Sequence, residues 1–113
     1  NKKINFFGFQ DNVSALIKIY DNHNITILPS FTESYGKVVD ESLARARPVI
    51  IFKEINHIIQ NRYGIFVSKR DPQSLLATIQ FIMKQYLDIQ NGISNNKLPS
   101  KYDFISQMTK ILT

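Results

Sequence analysis

The sequence contains no cysteine, which excludes disulfides and thiolate metal sites. Its two histidines, His23 in a turn and His57 in a mixed segment, lack the paired spacing of metal ligands. Nor does any apolar run approach the roughly 18 residues that a transmembrane helix needs, and the opening Asn1, Lys2, Lys3 and Ile4 lack the apolar stretch of a signal peptide. Missing too is a basic run interleaved with aromatics. Lys2 with Lys3, Arg45 with Arg47, and Lys69 with Arg70 are small scattered groups, so no nucleic-acid partner is expected.

What is present is one small domain's worth of chain. At 113 residues and 43% hydrophobic content it can bury a core, which argues against disorder. Fourteen basic against nine acidic residues give a net charge of +5, a balance that favours anionic partners such as phosphates or acidic lipid headgroups.

Apolar, β-branched runs alternate with helical periodicity. Residues 4–7 read as a strand ending at Gly8, and Asp11 can cap a helix with Val13, Leu16, Ile17 and Tyr20 on one face. A turn over residues 21–24 leads to a strand at 25–28, a loop at 29–36 and a helix at 37–45. Pro48 introduces a third strand over Val49–Phe52, and a fourth apolar run at 65–67 follows Gly64. Asp71 and Pro72 form a helix start, because Asp caps and Pro loses nothing in the first turn. Leu75, Leu76, Ile79, Ile82, Met83 and Tyr86 supply that helix's apolar stripe. Strands separated by helices imply an α/β fold, a Rossmann-like parallel sheet of about four strands with flanking helices. Residues 1–90 form the domain, the polar segment 91–100 reads as a linker, and Tyr102, Ile105, Met108 and Leu112 mark a closing helix over 101–113 packed on the same domain.

Two glutamates, Glu33 and Glu41, sit eight residues apart across the strand-to-helix crossing, where α/β sheets bind ligands. Taken alone, the pair is also what a solvated loop and an exposed helix face would show. The Phe6, Phe7 and Phe9 cluster reads as core packing rather than a stacking platform, and Arg45 and Arg47 read as solvated.

Phe7-Gly8, Tyr20, Leu28-Pro29-Ser30, Glu33, Tyr35-Gly36, Glu41 to Ala44, Pro48-Val49-Ile50, Gly64 to Val67 and Asp71-Pro72, in this order, resemble the C-terminal, nucleotide-sugar-binding domain of the GT-B-fold retaining glycosyltransferases, family four in particular. The likeness runs from Ile4 to Tyr86. It implies that Glu33 is the catalytic glutamate, beside the transferred sugar, and that Glu41 accepts hydrogen bonds from both ribose hydroxyls of the donor. It further implies that Ser34, Tyr35, Gly36, Lys37 and Val38 line the substrate, with backbone N–H groups at the helix start holding the diphosphate. Helix N-termini suit anions, and a carboxylate suits a diol because its oxygens only accept. The family needs no metal and no cofactor beyond the nucleotide-diphosphate sugar.

The resemblance also implies a cytoplasmic enzyme of bacterial surface polysaccharide or glycolipid synthesis, peripheral at the inner membrane, with a glycan or lipid-linked acceptor held by an N-terminal domain. Neither that domain nor the family's upstream Arg and Lys, which clamp the diphosphate, lies in these residues. The expectation is a fragment or short gene product, inactive alone, whose first strand either repacks or pairs with a second chain. Two departures stand out: Ala46 where the family ends its helix with glycine, implying a helix end without a left-handed cap, and residues 53–57 where the family often has glycines. A non-catalytic nucleotide-binding module and an α/β interaction domain are the alternatives.

Overall fold

The computed structural model describes residues 6–8, 12–33 and 36–96. Three parallel strands, β1 (Thr26–Leu28), β2 (Val49–Phe52) and β3 (Ile65–Ser68), form a sheet in the order β1-β2-β3. Thr26 pairs with Val49, and Val49 in turn with Ile65, so Leu28, Phe52 and Ser68 finish together along one edge. β2 is buried along its whole length, as a parallel strand covered on both faces should be. Helices α1 (Val13–Asp21), α2 (Lys37–Ala44), α3 (Pro72–Lys84) and α4 (Tyr86–Ser94) complete the layers, and a 3₁₀ segment, Lys53–Ile59, follows β2. The architecture is α/β, as expected. Val39 and Leu43 of α2, all but the last residue of β2, Ile55 and Ile58, and Ile82, Ile89 and Ile93 make one buried cluster.

The amino-terminal expectations are revised. Residues 4 and 5 of the first expected strand lie outside the described residues, and Phe6 and Phe7 are not in a strand. Phe6 is 94% exposed rather than core, while Phe7 meets His23 edge-on at 6.1 Å; Phe9 lies outside the described residues. With Phe6 and Phe7 outside a strand, no alternation buries these two. The α1 cap is Asn12, whose side chain accepts from Ala15 N at 3.0 Å, and not Asp11.

At the other end, Asp71 does cap α3, accepting from Ser74 N at 2.7 Å with Pro72 in the first turn. The helix breaks at Gln85, and α4 then runs through residues 91–94, so that part of the expected linker is helical. The reason is packing. Ile89 and Ile93, one turn apart, enter the core, and Gly92 fits against the Tyr63 ring so closely that a Cβ would lie 2.3 Å from Tyr63 Cε2. Asn96 closes the junction by accepting from Tyr63 N at 3.0 Å and donating to Tyr63 O at 2.9 Å. The expected closing helix over 101–113 lies outside the described residues.

The end of α2 also departs from expectation, because Ala46 adopts a left-handed φ of 57° without being glycine. Its N–H donates to Leu43 O at 2.9 Å and that of Arg47 to Ser42 O at 2.9 Å, the paired bonds of a Schellman cap. Two satisfied carbonyls outweigh the cost of a left-handed alanine, which is about 1–2 kcal/mol. Ala46→Gly should therefore raise stability by about 0.5–1 kcal/mol, after allowing for glycine's greater freedom when unfolded. A shift of the urea midpoint to higher concentration is the expected reading.

Candidate functional site

All three strands point their carboxyl ends at one edge, and of the sequence-predicted residues Glu33, Gly36, Lys37 and Val38 lie in the loop and helix start that follow β1 there. Pro29 and Ser30 leave β1, residues 53–59 leave β2, and Lys69 and Arg70 leave β3. Arg70 ties these exits together. Its guanidinium lies 3.8 Å from the Phe31 ring centroid and 4.4 Å from that of Phe52, and donates to Pro29 O (2.9 Å), Ser30 O (3.2 Å) and Glu54 Oε1 (2.9 Å). The planar fork suits this task, since it stacks and donates at once.

Glu33 is half-buried at the end of that loop. Its main-chain oxygen lies 2.6 Å from His57 Nε2, and because a carbonyl only accepts, the ring carries its proton on Nε2. Among the described residues no hydrogen bond or ion pair engages the Glu33 carboxylate. The segment 53–57, in which glycines were missing, thus secures the glutamate loop by a side chain. Ser34 and Tyr35 lie outside the described residues.

Gly36 begins α2 with φ 78°, a left-handed conformation, and offers no side-chain cap. A Cβ there would lie 2.9 Å from Ile58 Cδ1, so the position needs glycine on two counts. Lys37 and Val38 follow, exposed in the first helical turn, where backbone N–H groups have no intrahelical acceptor. The dipole end of α2 and these donors together suit an anion.

Glu41, in the next turn, is 6% exposed. Tyr20 of α1 donates its hydroxyl to Glu41 Oε1 at 2.7 Å, a bond between residues 21 positions apart. Burial pushes the Glu41 carboxyl above its usual range and Asp40 adds to this, while the Tyr20 bond and Lys37 oppose it. Burial, then the bond to Glu41, push the Tyr20 phenol up as well, so it stays a donor. Since the folded form holds the Glu41 proton more tightly than the unfolded chain, this group costs stability above its folded pKa. The cost disappears as pH falls toward the unfolded value of about 4.3.

The polar network continues beyond the expected residues, and Arg45 and Arg47 are not merely solvated. Arg45 holds Asp21 in a two-pronged ion pair, with contacts of 2.8 and 2.5 Å. Arg47 donates to the main-chain oxygens of Tyr20 (3.1 Å), Asp21 (2.8 Å), His23 (2.8 Å) and Arg45 (3.0 Å). α1 is thereby fastened end-on to α2. Arg62 similarly pairs with Asp40 and bonds the Ile58 carbonyl. Sequence reasoning missed these supports: His57 and Arg70 lie at the carboxyl edge, whereas Arg47 and the end of α1 that carries Tyr20 lie toward the amino ends of the strands, next to Thr26 and Val49. Arg47 and Arg70 carried a signal only as members of basic pairs beside strands, and Tyr20 only as an apolar helix position and part of the resemblance.

The sequence profile of a family described as glycosyl transferases group 1 matches residues 1–98. The chain is also 27% identical over 104 residues to an uncharacterized glycosyltransferase of Methanocaldococcus jannaschii, a match covering 89% of this chain and 26% of that protein. The chain thus spans about a quarter of that curated relative's length. No solved structure matches the chain significantly.

Proposed function

The chain belongs to the group 1 glycosyl transferases, and from that premise we propose that it carries the donor-binding part of an enzyme that moves a glycosyl unit from a nucleotide-diphosphate sugar to an acceptor with retention. The observation that carries this reading is Glu41, a buried carboxylate held on the helix that begins at Gly36. Glu41 accepts from the two ribose hydroxyls. The α2 amino terminus, with Gly36, Lys37 and Val38, meets the diphosphate, and Ser34 and Tyr35 complete the lining. Glu33, on its tethered loop, stands beside the sugar and stabilises positive charge at the anomeric carbon.

The remainder of the reading follows the same chemistry. The leaving phosphate takes the acceptor's proton, so no covalent enzyme intermediate and no metal are required. Since the chain spans about a quarter of its curated relative's length, the 113 residues alone are expected to bind donor without turning it over. The acceptor is a glycan or lipid-linked glycan of a bacterial surface, held by a further domain. The +5 charge suits a cytoplasmic enzyme resting on an anionic membrane. Among the described residues no helix is long and apolar enough to cross one.

The test is titration calorimetry of Glu41→Gln with UDP, GDP and ADP. Glutamine keeps the volume and an acceptor for Tyr20 but loses the charge. Affinity for the nucleotide that wild type prefers should fall about 10- to 100-fold. Stability should hold or rise at neutral pH, because the buried charge is gone. Equal affinities in variant and wild type would remove Glu41 from the site and the reading with it.

A further inference from the structure

Glu41 alone does not define a diol acceptor, because its side chain has three torsions and a carboxylate free to turn presents its lone pairs anywhere. What fixes it is on another element. Tyr20 is 9% exposed at the end of α1, and its rigid ring carries the hydroxyl to 2.7 Å from Glu41 Oε1. The ring's own origin is pinned in turn. Arg47 donates to the Tyr20 main-chain oxygen, which also accepts from His23 N at 3.1 Å, and Arg45 grips the adjacent Asp21. The turn that follows α2 therefore holds α1 at the position from which α1 holds a carboxylate of α2.

From this loop of contacts we infer that Tyr20 is a positioning residue for ribose recognition: its hydroxyl takes one lone pair of Oε1 and so aims the remaining acceptor sites of Glu41 at a vicinal diol. The inference rests on the donor-site reading above. A carboxylate has about four acceptor positions, and one neutral donor uses one of them. A cation in the same place would neutralise the group and compete with the diol. A phenol leaves the charge in place and restricts only its orientation. Asp40, the neighbouring carboxylate, shows the alternative, being occupied by the Arg62 guanidinium.

Positioning predicts a pattern that neither direct contact nor a purely structural role produces. The experiment uses the full-length protein and calorimetric titration with whichever of UDP, GDP or ADP wild type prefers, alongside its 2′,3′-dideoxy counterpart. In Tyr20→Phe, affinity for the ribonucleotide should drop about five- to tenfold while the dideoxy form binds as in wild type. Equal weakening of both ligands overturns the inference, as does unchanged discrimination between them.

Tyr20→Phe leaves a buried carboxylate without its donor and is at risk of unfolding, so a second comparison stands beside it. Tyr20→Phe/Glu41→Ala removes the phenol and the carboxylate together and strands neither, and because alanine offers Tyr20 no acceptor it should bind both ligands just as Glu41→Ala alone does. Any further loss in the double variant means that Tyr20 acts on the ligand directly and overturns the inference. Should wild type itself fail to prefer the ribonucleotide, the donor-site reading falls and this inference falls with it.

Discussion

Gly64→Ala should cost about 3–5 kcal/mol, a large share of the ~5–15 kcal/mol by which a domain of this size is stable. Two penalties act together. Gly64 holds φ at 103°, outside even the left-handed region that other residues sometimes visit, and that alone costs about 1–3 kcal/mol. A Cβ would then lie 2.5 Å from Ile93 Cγ1 and 2.9 Å from Leu43 Cδ2, both in side chains that are essentially fully buried. Ile93 is branched at Cβ and has little freedom to retreat, so overpacking adds about 1–3 kcal/mol. Nor can the backbone yield, because Gly64 O accepts from Val49 N at 2.9 Å at the start of the central strand. Gly8→Ala is the control. Gly8 has φ 69° with nothing within 4 Å of the added carbon, so only a conformational cost of about 1–2 kcal/mol applies. Urea unfolding of the two variants separates the terms. A loss below about 1 kcal/mol for Gly64→Ala would mean that α4 does not seat Ile93 over this turn.

That seat was hidden in the sequence, and the reason is instructive. The segment from Asn91 to Ser100 looks polar because its asparagines and serines dominate a linear reading. Folded, the first half is a helix in which Ile89, Gly92 and Ile93 face inward and the polar residues face water. Strand and cap signals were legible because they are local. The run Val49–Phe52 is apolar and β-branched, and Asp71 with Pro72 caps whatever helix follows. The break at Gln85 was not legible, since no Gly or Pro marks it and only tertiary burial of Ile89 favours it. Ala46 misled for the opposite reason. Its local preference is against a left-handed cap, and paired hydrogen bonds override it.

The candidate site divides along the same line. Glu33, Gly36 and Glu41 were visible as a spaced pattern around a strand-to-helix turn. Their supports were not, because each support has a side chain whose letter points elsewhere. Tyr20 counts as apolar in a helical stripe, although its hydroxyl does the bonding. Arg47 and Arg70 count as charge and so as surface, although each also donates to main-chain oxygens.

Arg47→Ala should destabilise the fold by about 2–4 kcal/mol, far more than the loss of an ordinary surface arginine. Its donors meet four main-chain oxygens, three of them at the end of α1 or in the turn after it, where helix carbonyls have no intrahelical partner. Bonds from a charged donor contribute about 1.5–3 kcal/mol each, but Asp21 and His23 are exposed enough for water to replace part of the loss. Arg47→Lys should recover only a fraction, because an ammonium cannot span carbonyls that a planar fork reaches together. Arg45→Ala provides the contrast. Its pair with Asp21 is about one-third exposed on each side and contributes at most ~1 kcal/mol. The two losses also differ in pH dependence. The Arg45 bond holds the Asp21 carboxyl below its usual range, so that contribution is present above the unfolded pKa and is lost as pH falls through the folded one. The main-chain oxygens that Arg47 meets do not titrate, so that part of its contribution persists in acid, while its weaker attraction to the Asp21 carboxylate fades. Urea midpoints of both variants, followed from about pH 7 down through the acid titration of Asp21, should therefore converge with wild type for Arg45→Ala and stay apart for Arg47→Ala. Because Arg47 fixes the backbone from which Tyr20 reaches Glu41, its removal should also weaken ribonucleotide binding in the protein that remains folded. An Arg47→Ala protein with wild-type stability would break the chain of contacts on which the ordering of Glu41 depends.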